Sequence, residues 1–215
     1  MSVQVHKDFR SKFGAARDQK RRPTCMAFAA SDAHAMARGG VFEELSVEFA
    51  YFSALKRRAI FDPSRGVAME DMLGTIDTIG QPLEGAWPYI ETLPADLASY
   101  KPPDPIGDLY KRASFAERAL TNLVTVVNDD RPAVLGFEIS AEFYMPPVGS
   151  SIRAAIDSPL VGRHAVVVVG RGTEAGDETF LIRNSWGKKW GEDGYAWISR
   201  HYLEPRLISL GVYEK

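Results

Sequence analysis

Between Thr24 and Gly40 the chain reads TCMAFAASDAHAMARGG, small and apolar almost all round, preceded by a proline and stopped by two glycines. That pattern predicts a helix with Thr24 as its N-cap. A second helix is predicted over SVEFAYFSALKRR, from Ser46. A third is predicted over VAMEDMLGTIDTIG, where Met69, Met72, Leu73, Ile76 and Ile79 recur at helical spacing. The stretch WPYIETLPADLASYKPPDPIGDLY is proline-rich and irregular, and reads as a crossing between two lobes. SFAERALTNLVTVVNDD opens with Ser114 and, three residues on, Glu117, a capping-box signature that predicts another helix. Then the period changes. AVLGFEI, HAVVVVG, ETFLIRN and GYAWIS are rich in Val, Ile and aromatics and bounded by Gly or Asp, and predict strands; LISLGVY predicts one more. The expected fold class is α+β, a single domain over 1–215. Its helical lobe covers about 10–110 and a mostly antiparallel β lobe about 111–215.

Composition narrows the function. The formal net charge is −2, which gives no general pull toward nucleic acid or membrane. No apolar run approaches the roughly 20 residues of a membrane span, and the N-terminal segment lacks the apolar core of a secretory signal. One cysteine, Cys25, excludes an internal disulfide and suits a reducing compartment, so a cytoplasmic location is expected. There is no Cys/His cluster at ligand spacing and no Gly-rich phosphate loop. Neither a metal nor an organic cofactor is expected.

Cys25 falls in the first turn of its predicted helix, where free N–H groups and the helix dipole favour an anion. A thiol there is expected to have a lowered pKa and to be a readier nucleophile, with Arg21 and Arg22 pushing the same way. The alternative is a small buried hydrophobe. A nucleophilic thiol needs a base. His34 lies nine residues along the same helix, half a circle away at about 100° per residue, and reads as a surface or satisfied histidine. His6 and His201 sit in segments with no apolar run to hold them. His164 opens HAVVVVG, the most β-prone run in the chain, where it is held rigidly yet can reach a cleft. If the hairpin joining HAVVVVG to ETFLIRN centres on Glu174, position 164 stands opposite Asn184, close enough for the amide oxygen to fix the imidazole tautomer. Coincidence of register is the other reading, since asparagine often ends strands.

Three stretches carry a resemblance to the papain-like cysteine peptidases: DQKRRPTCMAFA, GRHAVVVVGRG and, the most specific, FLIRNSWGKKWGEDGYAWI. LSVEFAYF and GAWPYI are weaker landmarks. His164 and Asn184 follow Cys25 by 139 and 159 residues. The family spacing is about 130–150, so the asparagine lies slightly outside it. The resemblance implies a papain-like two-lobe fold with the active site in the cleft, and a cysteine peptidase acting through a thioester acyl-enzyme. Cys25 would be the nucleophile, His164 the base and later the acid, and Asn184 the orienter. Gln19 would donate to the oxyanion hole beside the Cys25 backbone N–H. Trp186 would cover the His–Asn pair, Trp190 would lie further out on the leaving-group side or pack in the core, and Gly66 would flank the substrate strand or serve as a turn glycine. A peptide or protein substrate is implied.

The departures point to a bacterial-type branch without disulfides. RRPTCM stands where secreted relatives have a glycine-rich CGSCW-like segment. Arg163 precedes the histidine, where many relatives carry an acid or a neutral residue. With Arg21 and Arg22 it gives the cleft a positive rim that favours acidic side chains, or else forms a solvated face. Only 24 residues precede Cys25, too few for the family's pro-segment. Either the chain is the mature part, or it is made without that segment and a narrow cleft, an inhibitor or regulatory partner, or a rare substrate limits it. Two other functions use the same residues: a transpeptidase or ligase, and a catalytically silent peptide-binding scaffold.

Overall fold

The computed structural model describes residues 2–214. Strand β1 (Gln4–Asp8) is followed by three helices, α1 (Cys25–Ala37), α2 (Val47–Lys56) and α3 (Met69–Thr78). Then come β2 (Ser114–Glu117), α4 (Leu123–Asn128), β3 (Ala133–Ser140), β4 (Ser151–Ile152), β5 (Leu160–Glu174), β6 (Asp177–Arg183), β7 (Tyr195–Ser199), α5 (Arg200–Leu203) and β8 (Leu207–Tyr213). The strands form one sheet in the order β2-β8-β3-β5-β6-β7-β4, with β1 added to the far half of β5. All pairs are antiparallel except β4 with β7. Helices dominate the first half and the sheet the second, as expected, but β1 takes the N-terminal segment into the sheet.

Helix α1 runs against the sheet, with every residue from Met26 to Ala35 buried. Its alanines let the backbone approach β5 closely, whose Val166–Val169 run is equally buried. A helix apolar on all sides can only sit inside. Its polar residues are buried as well and find partners. Asp32 accepts from Arg17 Nη2 and from Arg183 Nε, each at 2.6 Å. His34 Nδ1 bonds Gln81 Oε1 at 3.1 Å while Nε2 is buried without a partner, so it is a core histidine, not a surface one. Burial lowers its pKa to about 4.

Three local expectations are corrected. Thr24 precedes α1 but makes no cap bond; its hydroxyl pairs with the Tyr89 hydroxyl, while Ser46 does cap α2 by accepting from the Phe49 N–H. SFAE is not a capping box but strand β2, paired with Leu210–Tyr213 of β8, and only Leu123–Asn128 of that stretch is α-helical. The proline-rich segment does not simply cross between lobes. It folds back over α2, where Trp87 and Tyr100 close a second small core with Phe49, Phe52 and Phe61.

Candidate active site

Two walls meet in a cleft of about 710 Å³ that holds Gln19, Cys25, Gly66, Arg163, His164 and Trp186. Cys25 is the first residue of α1, on the helical wall, and is only partly exposed. His164 comes from β5 and Asn184 follows directly after β6, on the sheet wall.

His164 Nε2 lies 2.6 Å from Asn184 Oδ1. The Ser185 N–H donates to that same oxygen at 2.7 Å and pins the amide. An amide oxygen only accepts, so Nε2 carries the proton and Nδ1 is left with its lone pair for the cleft. The partners are those expected, but the register is not. The hairpin turns at Ala175–Gly176, both at positive φ, rather than at Glu174. A bulge between Val168 and Gly170 shifts the ladder, which ends at Val167 opposite Arg183. Asn184 meets His164 because the chain leaves the ladder there, its N–H bonded to the Gly194 carbonyl at 2.9 Å.

Gln19 is buried and held at three points. Its N–H donates to the Ser185 carbonyl, its Oε1 accepts from Ser185 Oγ, and its Nε2 donates to the Arg22 carbonyl at 2.8 Å. Nε2 has a second hydrogen available to a ligand in the cleft. Ser185 therefore fixes both the asparagine and the glutamine. Sequence reasoning passed over it, although it stands inside the most specific of the motif stretches.

Burial pushes the Cys25 thiol up from its ordinary value, and the backbone N–H groups of Ala165, Met26 and Cys25 itself recover only part of this. That reverses the expected lowering: a helix start stabilises a thiolate, but here desolvation outweighs it. Burial also lowers the His164 pKa to about 4, against the supporting bond from Asn184. Each group alone is kept neutral.

The remaining residues divide. The Trp186 ring centroid lies 4.5 Å from that of His164, and Tyr144 stacks on Trp186 at 5.4 Å. A Cβ on Gly66 would meet nothing nearer than the Pro23 carbonyl at 3.6 Å, so the fold does not require glycine there and the bare backbone is left open to the cleft. Arg163 is exposed and stands across the ladder from Glu138, 3.6 Å away. Trp190 takes the packing position of its two readings. It is buried among Phe143 and Trp186, its indole N–H donating to the Phe143 carbonyl at 3.0 Å. Arg22 lines the cleft but does not offer its charge there; it turns inward onto the buried Glu48 at 2.6 Å and onto the Ile90 carbonyl.

A thiol on a helical wall facing an asparagine-oriented imidazole on a sheet wall is the layout of the thiol peptidases. Residues 74–209, well over half the chain, match the papain family cysteine proteases, and the chain belongs to that family. Cys25 lies ahead of the matched residues, so its place rests on the geometry above. Among curated relatives, the chain is 37% identical over 92 residues to a cathepsin L-like proteinase of Fasciola hepatica, covering 43% of this chain and 27% of that protein. It is 34% identical over 138 residues to the oryzain gamma chain of Oryza sativa subsp. japonica, covering 62% of this chain and 35% of that protein. The aligned stretches thus span about a quarter to a third of those relatives. Of solved structures, xylellain, a cysteine protease from Xylella fastidiosa, superposes with a TM-score of 0.71 at 21% identity, over 99% of this chain and 91% of that one. Digestive procathepsin L 3 of Tenebrio molitor larval midgut gives 0.73 at 21% identity, over 97% and 69%. The fold is therefore the papain-like one, and the likeness extends over bacterial and eukaryotic proteins alike.

Proposed function

We propose that the protein is a cysteine peptidase that cleaves peptide bonds through a Cys25-His164-Asn184 triad. The observation that carries this is the pinned Asn184 oxygen, which leaves His164 Nδ1 as the lone-pair nitrogen in the cleft that holds Cys25. In this reading His164 takes the thiol proton as Cys25 Sγ attacks the substrate carbonyl. The Cys25 N–H and the free hydrogen of Gln19 Nε2 receive the tetrahedral oxygen. The imidazolium then protonates the leaving amine, and the thioester is released by a water that His164 deprotonates. Trp186 shields the His–Asn bond from solvent, and the open backbone at Gly66 supports an extended substrate strand. A restraining inhibitor or regulatory partner would cover the same cleft.

The test is incubation of the full chain with a defined peptide mixture, read by mass spectrometry. Products carrying the mass of water, absent with Cys25→Ala, are expected. Products joined to a second peptide's amine would mean transpeptidation. An untouched mixture, with peptide still bound, would mean a silent scaffold.

A further inference from the structure

The cleft carries more positive charge than the chain's net −2 would suggest. Apart from the inward-turned Arg22, its lining includes Lys20, Arg21, Arg58, Arg118 and Arg163 against a single carboxylate, Glu70. Two of these cations are already answered. Lys20 has Asp18 at 3.2 Å and Glu91 at 3.8 Å, and Arg163 has Glu138. Among the described residues Arg21, Arg58 and Arg118 have no carboxylate within ion-pair distance.

Arg58 and Arg118 come from opposite walls to the same end of the cleft. Arg58 donates to the Gly66 carbonyl at 3.0 Å. Arg118 directly follows Glu117, which pairs with Leu210 on β8, so it stands beside Ser209 and Ile208 of the cleft lining. The two walls touch there: a Cβ on Gly211 of β8 would lie 2.8 Å from Met69 Sδ, three residues past Gly66. The floor between them is narrow, since a Cβ on Gly136 would fall 2.8 Å from Ser209 Oγ and 3.4 Å from Met26 Cε, and apart from the Ser209 hydroxyl it is mainly apolar, with Met26, Val67, Met69 and Phe137. Guanidinium groups without carboxylate partners, at the rim of an apolar slot, are answered by a carboxylate whose alkyl stem fills the slot.

We infer that this cleft selects peptides with an acidic side chain on the stretch that runs past Gly66, and that Arg58 and Arg118 are its specificity-determining residues. This rests on the peptidase reading above. Glu70, exposed in the same lining, opposes the preference and limits it.

The test uses fluorogenic peptides that differ only in Glu, Gln or Lys at one position, scanned along the side that passes Gly66. At one position kcat/KM for Glu is expected to exceed that for Lys by about tenfold at low salt. The ratio falls toward one with added salt and in the Arg58→Gln, Arg118→Gln double variant. It rises in Glu70→Gln and inverts in Arg118→Glu. A ratio below about twofold at every position, or one indifferent to the arginine variants, would overturn the inference. Turnover of the Gln peptide reports separately on the peptidase reading. If it is not cut, the same ratios are read as Kd on Cys25→Ser by fluorescence anisotropy, with the same expected and contrary values.

Discussion

Replacing His164 with alanine is expected to lower kcat/KM for peptide cleavage by at least about 10⁴-fold, with the fold intact. The size follows from what the cleft does to the thiol. Burial raises the pKa of Cys25 and the nearby backbone N–H groups do not compensate, so without an acceptor there is almost no thiolate at neutral pH. Nor is there an acid for the leaving amine. A second base within reach would soften the loss, but His34 is locked in the core on Gln81 and His6 is bonded to Thr173 Oγ1 on β5. Kinetics on a single fluorogenic peptide, with circular dichroism to verify the fold, measure the effect. A loss under about tenfold would remove His164 from the mechanism.

Asp32→Asn is the variant expected to cost most stability. Asp32 lies seven residues after Cys25, two turns on and on the same face of α1. It reaches across to Arg183, the last residue of β6 and the one before Asn184. Burial alone would raise the Asp32 carboxyl, but Arg183 and Arg17 together hold it below its usual value. Removing the charge leaves the fully buried Arg183 guanidinium with no anion, only neutral acceptors: the Gly14 and Ala15 carbonyls, the Tyr195 hydroxyl and the new amide oxygen. Breaking a buried ion pair from one side costs about 3–5 kcal/mol. For a chain of this size that is a fall in Tm of about 10 °C. Activity is expected to fall too, because the same pair holds Asn184 against α1. Scanning calorimetry provides the check, and a shift below about 2 °C would show that the pair does not tie the walls together.

The sequence carried the helices and the chemistry better than the contacts between them. The first three helices were legible because their apolar spacing and stops are local properties, and the buried valine run marked the central strand. That Cys25, His164, Asn184 and Gln19 come together was legible because the motif stretches set them at short range from strand and helix ends. Ser114 and Glu117 misled because a capping box is a local preference, while β8 offered that segment an unpaired edge. The hairpin arithmetic named the right pair through the wrong register, since neither a bulge nor a chain leaving its ladder can be counted from sequence. Arg22 was misplaced, and Trp190 left open between two readings, for a different reason. A charge beside the nucleophile, or a ring within a motif, does not reveal which way it turns, and Glu48 and Phe143 decide that from far along the chain. Arg58 and Arg118 reach the cleft only through α2 and the β2–β8 pairing, so no spacing pointed to them.

The central claim is that Cys25 reacts through His164, and the pH profile of Cys25 alkylation by iodoacetamide tests it most directly, with His164→Ala measured in parallel. Neutral imidazole must accept the thiol proton, and burial holds the His164 pKa at about 4. Reactivity is therefore present above that value and lost as pH falls through it. Without His164 the thiol must ionise alone, and burial pushes that above the ordinary thiol range. Fast alkylation between about pH 5 and 8, lost in His164→Ala, is the predicted result. Profiles that rise together only above about pH 8.5 in both proteins would contradict it.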